Sequence, residues 1–420
     1  MSQKYLNVLF VVTIKWVLFL GYYQTLYKFL WFSAKMKKKI YNYALDLDEE
    51  TSKQFKDCYS EKFVVSAALM PDAHLGYVAP IGSVLITKDY VVPAWVGFDI
   101  GCGLIAVKIK GKNILNLVKQ NSDKIYNSIK KVVPMGLGEV NKKHKISEET
   151  KKKFSELLER FKKMPYDKSI YQFINSTGLR DLGTLGSGNH FLSLNYEESQ
   201  RSKDYLWLVI HCGSRGLGHR VAKKYMIKSS GDENVYEKTF PLKVDSEIGK
   251  EYLNVLDFGL EYALLNRTEI SRRVTAALQK LFKIKITSEL WVNKTHNHAL
   301  FETVGKSKML VHRKGATPAK KGERGIIPGN MRDGSFLVEG LGNSKFLNSS
   351  SHGAGRAMSR RDAKQSISIS EIRKEMAGIK TKFIPDEAPR AYKNIFDVMK
   401  KQKSSVKIIK HLKPIINWQE

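Results

Sequence analysis

The spacing of hydrophobic and polar positions changes several times along the chain, and the changes divide it into blocks. Tyr5 to Phe32 is dominated by Leu, Val, Phe, Trp and Tyr, and a basic run follows at Lys35, Lys37, Lys38 and Lys39. Lys15 and Lys28 interrupt the apolar stretch, which makes it a poor membrane span, since a span needs about 20 nearly uncharged apolar residues. Residues 1–40 read as a removable or appended targeting leader, with an interfacial anchor or translated upstream sequence as the alternatives. Residues 41–420 show no Pro/Gly/Ser linker and no internal repeat, and read as one domain.

Within that domain, Val64 to Lys108 is a run of short β-type segments punctuated by Gly and Pro: Ser83–Thr87, Tyr90–Val92 and Leu104–Val107. The middle is helical. Ser147 is a good N-cap, Glu148 and Glu149 suit a first turn, and Phe154, Leu157, Leu158 and Phe161 recur at helical spacing before Pro165. Lys151 to Lys153 then form that helix's solvated face. A second helical region spans about Glu251 to Phe282. Lys306 to Ser359 reads as strand and turn, and Ser366 to Lys403 as helix-rich. Strands and helices come in blocks without βαβ alternation. The pattern predicts an α+β fold with mixed or antiparallel β-sheets flanked by helices.

Composition narrows the functional classes. Hydrophobic residues make up 42% of the chain and aromatics 10%, which excludes intrinsic disorder. The 71 Lys+Arg against 41 Asp+Glu leave a net charge of +30. That excess favours a polyanion as partner, although much of it is lysine scattered through Asn-, Tyr- and Ile-rich stretches, as AT-rich coding would also produce. Cys58, Cys102 and Cys212 are too few and too far apart for a disulfide framework, so the chain reads as intracellular and reduced.

Six polar, glycine-containing segments carry the candidate chemistry. Met70–Gly76 contains Asp72 in a Pro-Asp pair, ordinarily a turn. Val96–Gly103 places Asp99 and Cys102 three residues apart between glycines, so one tight turn can aim both at a divalent transition metal such as Mn, Fe, Co or Zn. Taken alone, Cys102 reads more readily as a small buried hydrophobe than as a ligand. Gly186–Phe191, Val209–Gly216 and Lys294–His298 each put a histidine (His190, His211, His296) beside a glycine turn or at the end of an apolar strand, and together with Asp99 and Cys102 they supply ligands for two adjacent ions. Ser349–Arg360 leads from His352 into Gly353-Ala354-Gly355 with Arg356 behind. This arrangement suits phosphate binding with His352 as nucleophile or general base, or else a helix capped by Ser351. Arg313–Ala316, Pro328–Met331 and Ser335 add further material of the phosphate-cradling kind.

Taken in order, these segments resemble the RtcB family of RNA-splicing ligases. The resemblance rests on Pro-Asp-x-His-x-Gly at Asp72, Gly-Phe-Asp-Ile-x-Cys-Gly at Asp99, Gly-x-Gly-Asn-His at His190, His-x-Gly-Ser-Arg-Gly at His211, His-Asn at His296 and Ser-His-Gly-Ala-Gly-Arg at His352. It covers almost everything from about Leu45 onward. It implies a single large catalytic domain that joins RNA 2′,3′-cyclic phosphate or 3′-phosphate ends to 5′-hydroxyl ends with GTP and two Mn²⁺ ions, in tRNA splicing or RNA repair. By the same resemblance Asp99, Cys102, His190, His211 and His296 are the metal ligands, with Cys102 bridging. His352 is the residue that becomes guanylylated, and Asp72 lies near the incoming 5′-hydroxyl. The implied nucleotide contacts are Asn189, His190, Phe191, Leu192, Ser193, His296, Asn297, Pro328, Gly329, Asn330, Met331, Ser335, His352, Gly353, Ala354, Gly355 and Gln419. RNA, GTP and an activating helper protein are the implied partners of a monomeric catalytic unit, in the cytoplasm or in an organelle reached through the leader.

Two departures from the family's pattern bear on the nucleotide. Ser193 stands where a glutamate is usual and Gln419 where a lysine is usual, and both usual residues would contact guanine. Their loss predicts relaxed nucleotide choice. Asn330 in place of a commoner serine is milder, since an amide still donates. The alternatives are a divergent paralogue that caps or repairs RNA ends with altered nucleotide use, and an inactive basic RNA-binding protein.

Overall fold

The computed structural model describes residues 38–141 and 146–420, so the leader reading falls, apart from its last three residues, outside the described residues. Residues 40–420 form one compact unit. Its strands are β1 (Lys39–Asn42), β2 (Val64–His74), β3 (Ile81–Thr87), β4 (Tyr90–Val91), β5 (Gly103–Lys110), β6 (Phe191–Glu197), β7 (Tyr205–Cys212), β8 (Leu242–Lys243), β9 (Thr287–Thr295), β10 (Asn297–Val304), β11 (Ser307–Lys314), β12 (Ala316–Pro318), β13 (Arg324–Pro328), β14 (Ser335–Gly340), β15 (Ser349–Ser351) and β16 (Val406–Gln419). The principal helices are α1 (Glu49–Ser60), α2 (Pro93–Val96), α3 (Ile114–Gln120), α4 (Ser122–Val132), α5 (Glu148–Lys162), α6 (Lys168–Asp181), α7 (Gly216–Ser230) and α8 (Glu247–Phe282).

Two sheets organise this α+β fold. One has five strands in the order β1-β2-β3-β11-β10, and the other has seven in the order β13-β14-β16-β6-β7-β5-β9. Residue alternation in β5 explains how the larger sheet is covered. Ile105, Val107 and Ile109 face a cluster built with α3, α4 and the C-terminal third of α8, while Leu104 and Ala106 face Trp207, Val292, Ile326 and Leu337. The second cluster draws on both edge strands, as a strongly curled sheet does.

The predicted middle helix forms as α5. Ser147 caps it by accepting from the Thr150 N–H at 3.2 Å, and Phe154, Leu157, Leu158 and Phe161 are buried. The second helical region is longer than its periodicity suggested. Ser246 caps it, and the helix starts at Glu247, four residues upstream of Glu251, giving 36 residues. Residues after Lys403, whose pattern assigns them no element, form β16, an interior strand of the larger sheet. Its alternation is broken at Pro414, where the register with β6 shifts.

Helix α8 also buries charge. Glu269 is fully buried and accepts from Ser147 Oγ (2.8 Å), Thr150 Oγ1 (2.9 Å), Arg272 Nη2 (2.8 Å) and Arg273 Nε (3.0 Å). Burial alone would raise its pKa. The hydrogen bonds from Arg272, Ser147, Arg273 and Thr150 overcome that and hold it at about 2. Because this lies below the unfolded value of about 4.3, Glu269 contributes stability that is fully present above that value and is lost as the pH falls through about 4 towards 2. Glu269→Gln is expected to cost about 3 kcal/mol at neutral pH, because it leaves two arginines facing a neutral group, and to flatten the acid limb of the melting-temperature profile. Parallel melts of the two proteins from pH 7 to pH 2.5 that keep a constant difference would refute the assignment.

Candidate active site

The sheet order places the chemistry. Strands β6, β7, β5 and β9 are consecutive in the larger sheet, and their ends converge. His190 directly precedes β6, His211 lies near the end of β7, Cys102 directly precedes β5, and His296 directly follows β9. Gly103 pairs with both Cys212 and Thr295, so Cys102 and His296 are neighbours, and the His296 N–H donates to the Cys102 carbonyl at 2.7 Å.

Asp99 joins them through the turn predicted between α2 and β5. Gly101 takes φ 72°, a conformation that disfavours other residues, and the Cys102 N–H donates to the Asp99 carbonyl at 3.1 Å. A Cβ at position 213 would collide with the Asp99 carboxylate, so Gly213 makes room for it. Helix α8 clamps the arrangement from behind. The fully buried Arg267 donates to the carbonyls of Gly101 (2.9 Å) and Cys212 (2.6 Å), and Asn266 accepts from Gly183 N–H (2.7 Å) and donates to Gly213 carbonyl (3.2 Å).

The resulting ligand atoms fall into two groups, Asp99/Cys102/His190 and Cys102/His211/His296, each with its atoms within 4.8 Å of one another. Cys102 Sγ belongs to both. It lies 3.1 Å from His211 Nε2 and 3.4 Å from His190 Nε2, while His190 Nε2 is 2.8 Å from Asp99 Oδ2 and His211 Nε2 is 3.3 Å from His296 Nε2. His211 Nδ1 donates to the Asn189 carbonyl at 3.0 Å, which leaves the Nε2 lone pair facing the cluster. Burial, reinforced by neighbouring histidines, pushes His211 and His296 well below the usual imidazole range, so both are neutral donors. Burial and then Asp99 push the Cys102 thiol far up, a shift that a bound dication reverses. One carboxylate, one sulfur and three imidazoles, closely grouped and turned towards each other, fit a pair of divalent transition-metal ions.

His352 borders this cluster, its ring centroid 4.8 Å from that of His296. Asp72 fixes its orientation. Asp72 Oδ2 lies 2.6 Å from His352 Nδ1 and also accepts from the backbone N–H groups of His352 (3.1 Å) and Gly353 (3.2 Å). The carboxylate makes Nδ1 the protonated nitrogen and leaves Nε2 with a free lone pair. Asp72 is not in a turn as expected. It sits in β2 beside Pro71, which has no N–H for the ladder, in the stretch where the register with β3 breaks between Leu69 and His74. Ser351 caps no helix either. It ends β15, and Ser359 caps the next helix.

A cavity of about 340 Å³ opens beside His352. Of the expected nucleotide contacts, Asn189, Phe191, Ser193, Pro328, Gly329, Asn330, Met331, Ser335, His352, Gly353, Ala354, Gly355 and Gln419 line it, and His190, Leu192, His296 and Asn297 do not. Strand alternation sends the Leu192 side chain into the core on the opposite face from Phe191 and Ser193, so that Leu192 has only its backbone to offer a nucleotide. Asn297 is spent on the Asp99 carbonyl and the Gly315 N–H. The Asn330 amide donates to Asp333 (2.8 Å) and Pro389 (3.4 Å), so it closes its own turn. Arg313 is buried against Glu302, His298 and Ser349, and Lys314 donates to the Tyr77 carbonyl, so neither reaches the cavity. The lining residues that the sequence reading missed include His74, Asn195, Arg360, Glu387, Tyr392 and Asn417. Alternation along β6 was the available signal for Asn195, and His74 and Arg360 lie in the segments Met70–Gly76 and Ser349–Arg360 already singled out, whereas nothing local marks Glu387, Tyr392 and Asn417.

The family profile described as tRNA-splicing ligase RtcB matches residues 54–420. The chain belongs to the RtcB family. It is similar to the RNA-splicing ligase RtcB of Escherichia coli (32% identical, covering 83% of this chain and 88% of that protein) and to the tRNA-splicing ligase RtcB of Nanoarchaeum equitans (31%, covering 81% and 84%). An Entamoeba histolytica protein named RNA-splicing ligase RtcB homolog 1 is 29% identical, covering 88% of this chain and 85% of that protein. Membership in the RtcB family gives the six motif segments a common context, and the converging strand ends explain why they lie so far apart in the chain.

Proposed function

We propose that this protein is an RNA ligase that joins 3′-phosphate or 2′,3′-cyclic phosphate ends to 5′-hydroxyl ends, in tRNA splicing or RNA repair, with GTP and two Mn²⁺ ions. The observation that carries the reading is His352 Nε2, freed by Asp72, standing between a paired-metal ligand set and a nucleotide-sized cavity. Family membership supports it.

His352 Nε2 attacks the α-phosphorus of GTP, a P–N bond forms, the bond from the α-phosphorus to the α,β-bridging oxygen breaks, and pyrophosphate leaves. An oxygen of the RNA 3′-phosphate then takes the GMP from His352, which restores the imidazole. The 5′-hydroxyl oxygen attacks the activated 3′-phosphorus, GMP departs, and the hydroxyl proton is released. A cyclic phosphate is first opened by water. When bound at Asp99, Cys102, His190, His211 and His296, the metal supplies phosphate charge neutralisation and water activation. Throughout, Asp72 holds the His352 ring and its proton at Nδ1, Gly353 to Gly355 keep the approach to the histidine open, and Arg356 lines the cavity with neither terminal nitrogen hydrogen-bonded, Nη1 lying 3.7 Å from Glu387. Arg356 thus offers charge to a phosphate.

The test is a joining assay on two RNA fragments, one ending in a labelled 3′-phosphate and the other beginning with a 5′-hydroxyl, with Mn²⁺ and GTP or ATP. A joined product is expected. No product with either nucleotide would sink the ligase reading, and RNA binding that is indifferent to Mn²⁺ would favour a binding protein instead.

A further inference from the structure

The cavity wall formed by β6 and β16 offers an unusual set of polar groups. Phe191 pairs with Gln419 and Ser193 with Asn417, and alternation turns Phe191, Ser193, Asn195, Asn417 and Gln419 towards the cavity. The metal ligands lie at the Phe191 end, where Phe191 pairs with His211. Ser193 and Asn417 stand roughly 7 Å farther along, at about 3.3 Å per residue. A nucleotide whose α-phosphate meets His352 therefore carries its base towards Ser193 and Asn417.

The groups there are mostly engaged. Glu387 is the only carboxylate lining the cavity among the described residues. Its Oε2 accepts from Gln419 Nε2 (2.9 Å) and the Tyr392 hydroxyl, and its Oε1 accepts from Arg360 and lies 3.7 Å from Arg356. The Gln419 Nε2 also donates to the Gly188 carbonyl (2.9 Å), and the Asn195 Nδ2 is spent on Ser193 Oγ (2.9 Å), the Ser193 carbonyl (3.1 Å) and the Trp207 carbonyl (3.3 Å). Asn417 differs. It is 2% exposed and its Nδ2 has no partner. A buried amide N–H is rarely left unpaired unless a ligand or water completes it.

We infer that Asn417 and Ser193 read the base and that the site accepts adenine and guanine nucleotides alike. A free carboxylate would select guanine over adenine strongly, because its acceptor pair matches the N1–H and N2–H of guanine and repels the lone pair at adenine N1. No free carboxylate faces this cavity. An amide N–H donates equally well to O6 or N7 of guanine and to N1 or N7 of adenine, and a serine hydroxyl both donates and accepts.

This inference rests on the nucleotidyl-transfer reading of the site, and its test measures binding so that the two can fail separately. Affinities of GTP and ATP are compared by calorimetry with Mn²⁺ on the full-length His352→Ala protein, in which no covalent adduct can form. Sites that hydrogen-bond one partner selectively reject the other by 10⁴–10⁵, whereas a ratio below about tenfold is expected here. Adding Ser193→Glu supplies the missing carboxylate and is expected to raise the GTP preference more than about tenfold, while adding Asn417→Ala weakens both nucleotides alike. A GTP preference of tenfold or more without Ser193→Glu overturns the inference and leaves the ligase reading standing. Comparable binding of both nucleotides by His352→Ala, with no RNA joining by the wild-type protein, removes the ligase reading instead. Binding of neither overturns both.

Discussion

His352→Ala is expected to abolish both the protein–nucleotide adduct and RNA joining, a loss of at least about 10³-fold. The reasoning is covalent. The adduct is a P–N bond to the imidazole, and His190, His211 and His296 cannot replace it, since they direct ring nitrogens at one another and at Asp99 and Cys102. The fold should tolerate the change. The His352 side chain is 13% exposed, and Asp72 Oδ2 keeps the two backbone N–H groups of residues 352 and 353, so the expected stability cost is about 1 kcal/mol. The experiment incubates the protein with Mn²⁺ and α-labelled GTP or ATP, resolves it under denaturing neutral conditions, and looks for an acid-labile label. A label that persists in His352→Ala at wild-type level would exclude His352 as the nucleophile. Asp72→Asn provides an internal contrast. It keeps the nucleophile but loses control of the ring nitrogen carrying the proton, so the adduct should form more slowly, by on the order of 10²–10⁴-fold, without disappearing.

The second large effect concerns Cys102. Its Sγ is the one atom shared by the two ligand groups, so Cys102→Ala should damage both metal positions, whereas His190→Ala and His296→Ala should each damage one. Partners that merely orient a metal ligand are worth about 10–100-fold in affinity, so loss of the shared ligand is expected to cost at least about 100-fold. Mn²⁺ stoichiometry and affinity, followed by electron paramagnetic resonance titration of the free ion, would show two ions per chain falling to none in the same concentration range. Melting should change little, since cysteine to alanine removes one buried atom and costs about 1 kcal/mol. Unchanged Mn²⁺ affinity would return Cys102 to the other reading available from sequence, a small apolar filler.

How far the site was legible depends on the distance over which each contact acts. Local contacts were readable. The Ser147 cap, the buried stripe of α5 and the Asp99–Cys102 turn each involve residues within one or two turns of chain. The wall opposite the phosphate loop was less readable. Strand alternation sends the Leu192 side chain into the core while its neighbours Phe191 and Ser193 line the cavity, and Asn417 lies on β16, whose periodicity is broken by Pro414. Arg267 and Asn266 appear in the sequence as ordinary polar positions on an amphipathic helix. Only the packing of α8 behind the strand ends shows that they anchor the loops at Gly101, Gly183 and Gly213.

By itself, the sequence determined which donors exist and in what order they occur: one thiol beside one carboxylate, histidines next to glycine turns, and a histidine leading into Gly-Ala-Gly. It also determined the α+β class, because strand and helix periods are local properties of the chain. The tertiary structure alone decided which donors meet. Cys102 and His211 are 109 residues apart, and His352 and Asp72 are 280 apart. The first meeting depends on a strand order, β6-β7-β5-β9, that departs from chain order, and the second on β15 packing against β2. That order is set by how two sheets and a long helix bury their apolar faces together, a condition on the whole chain that no local spacing of residues expresses.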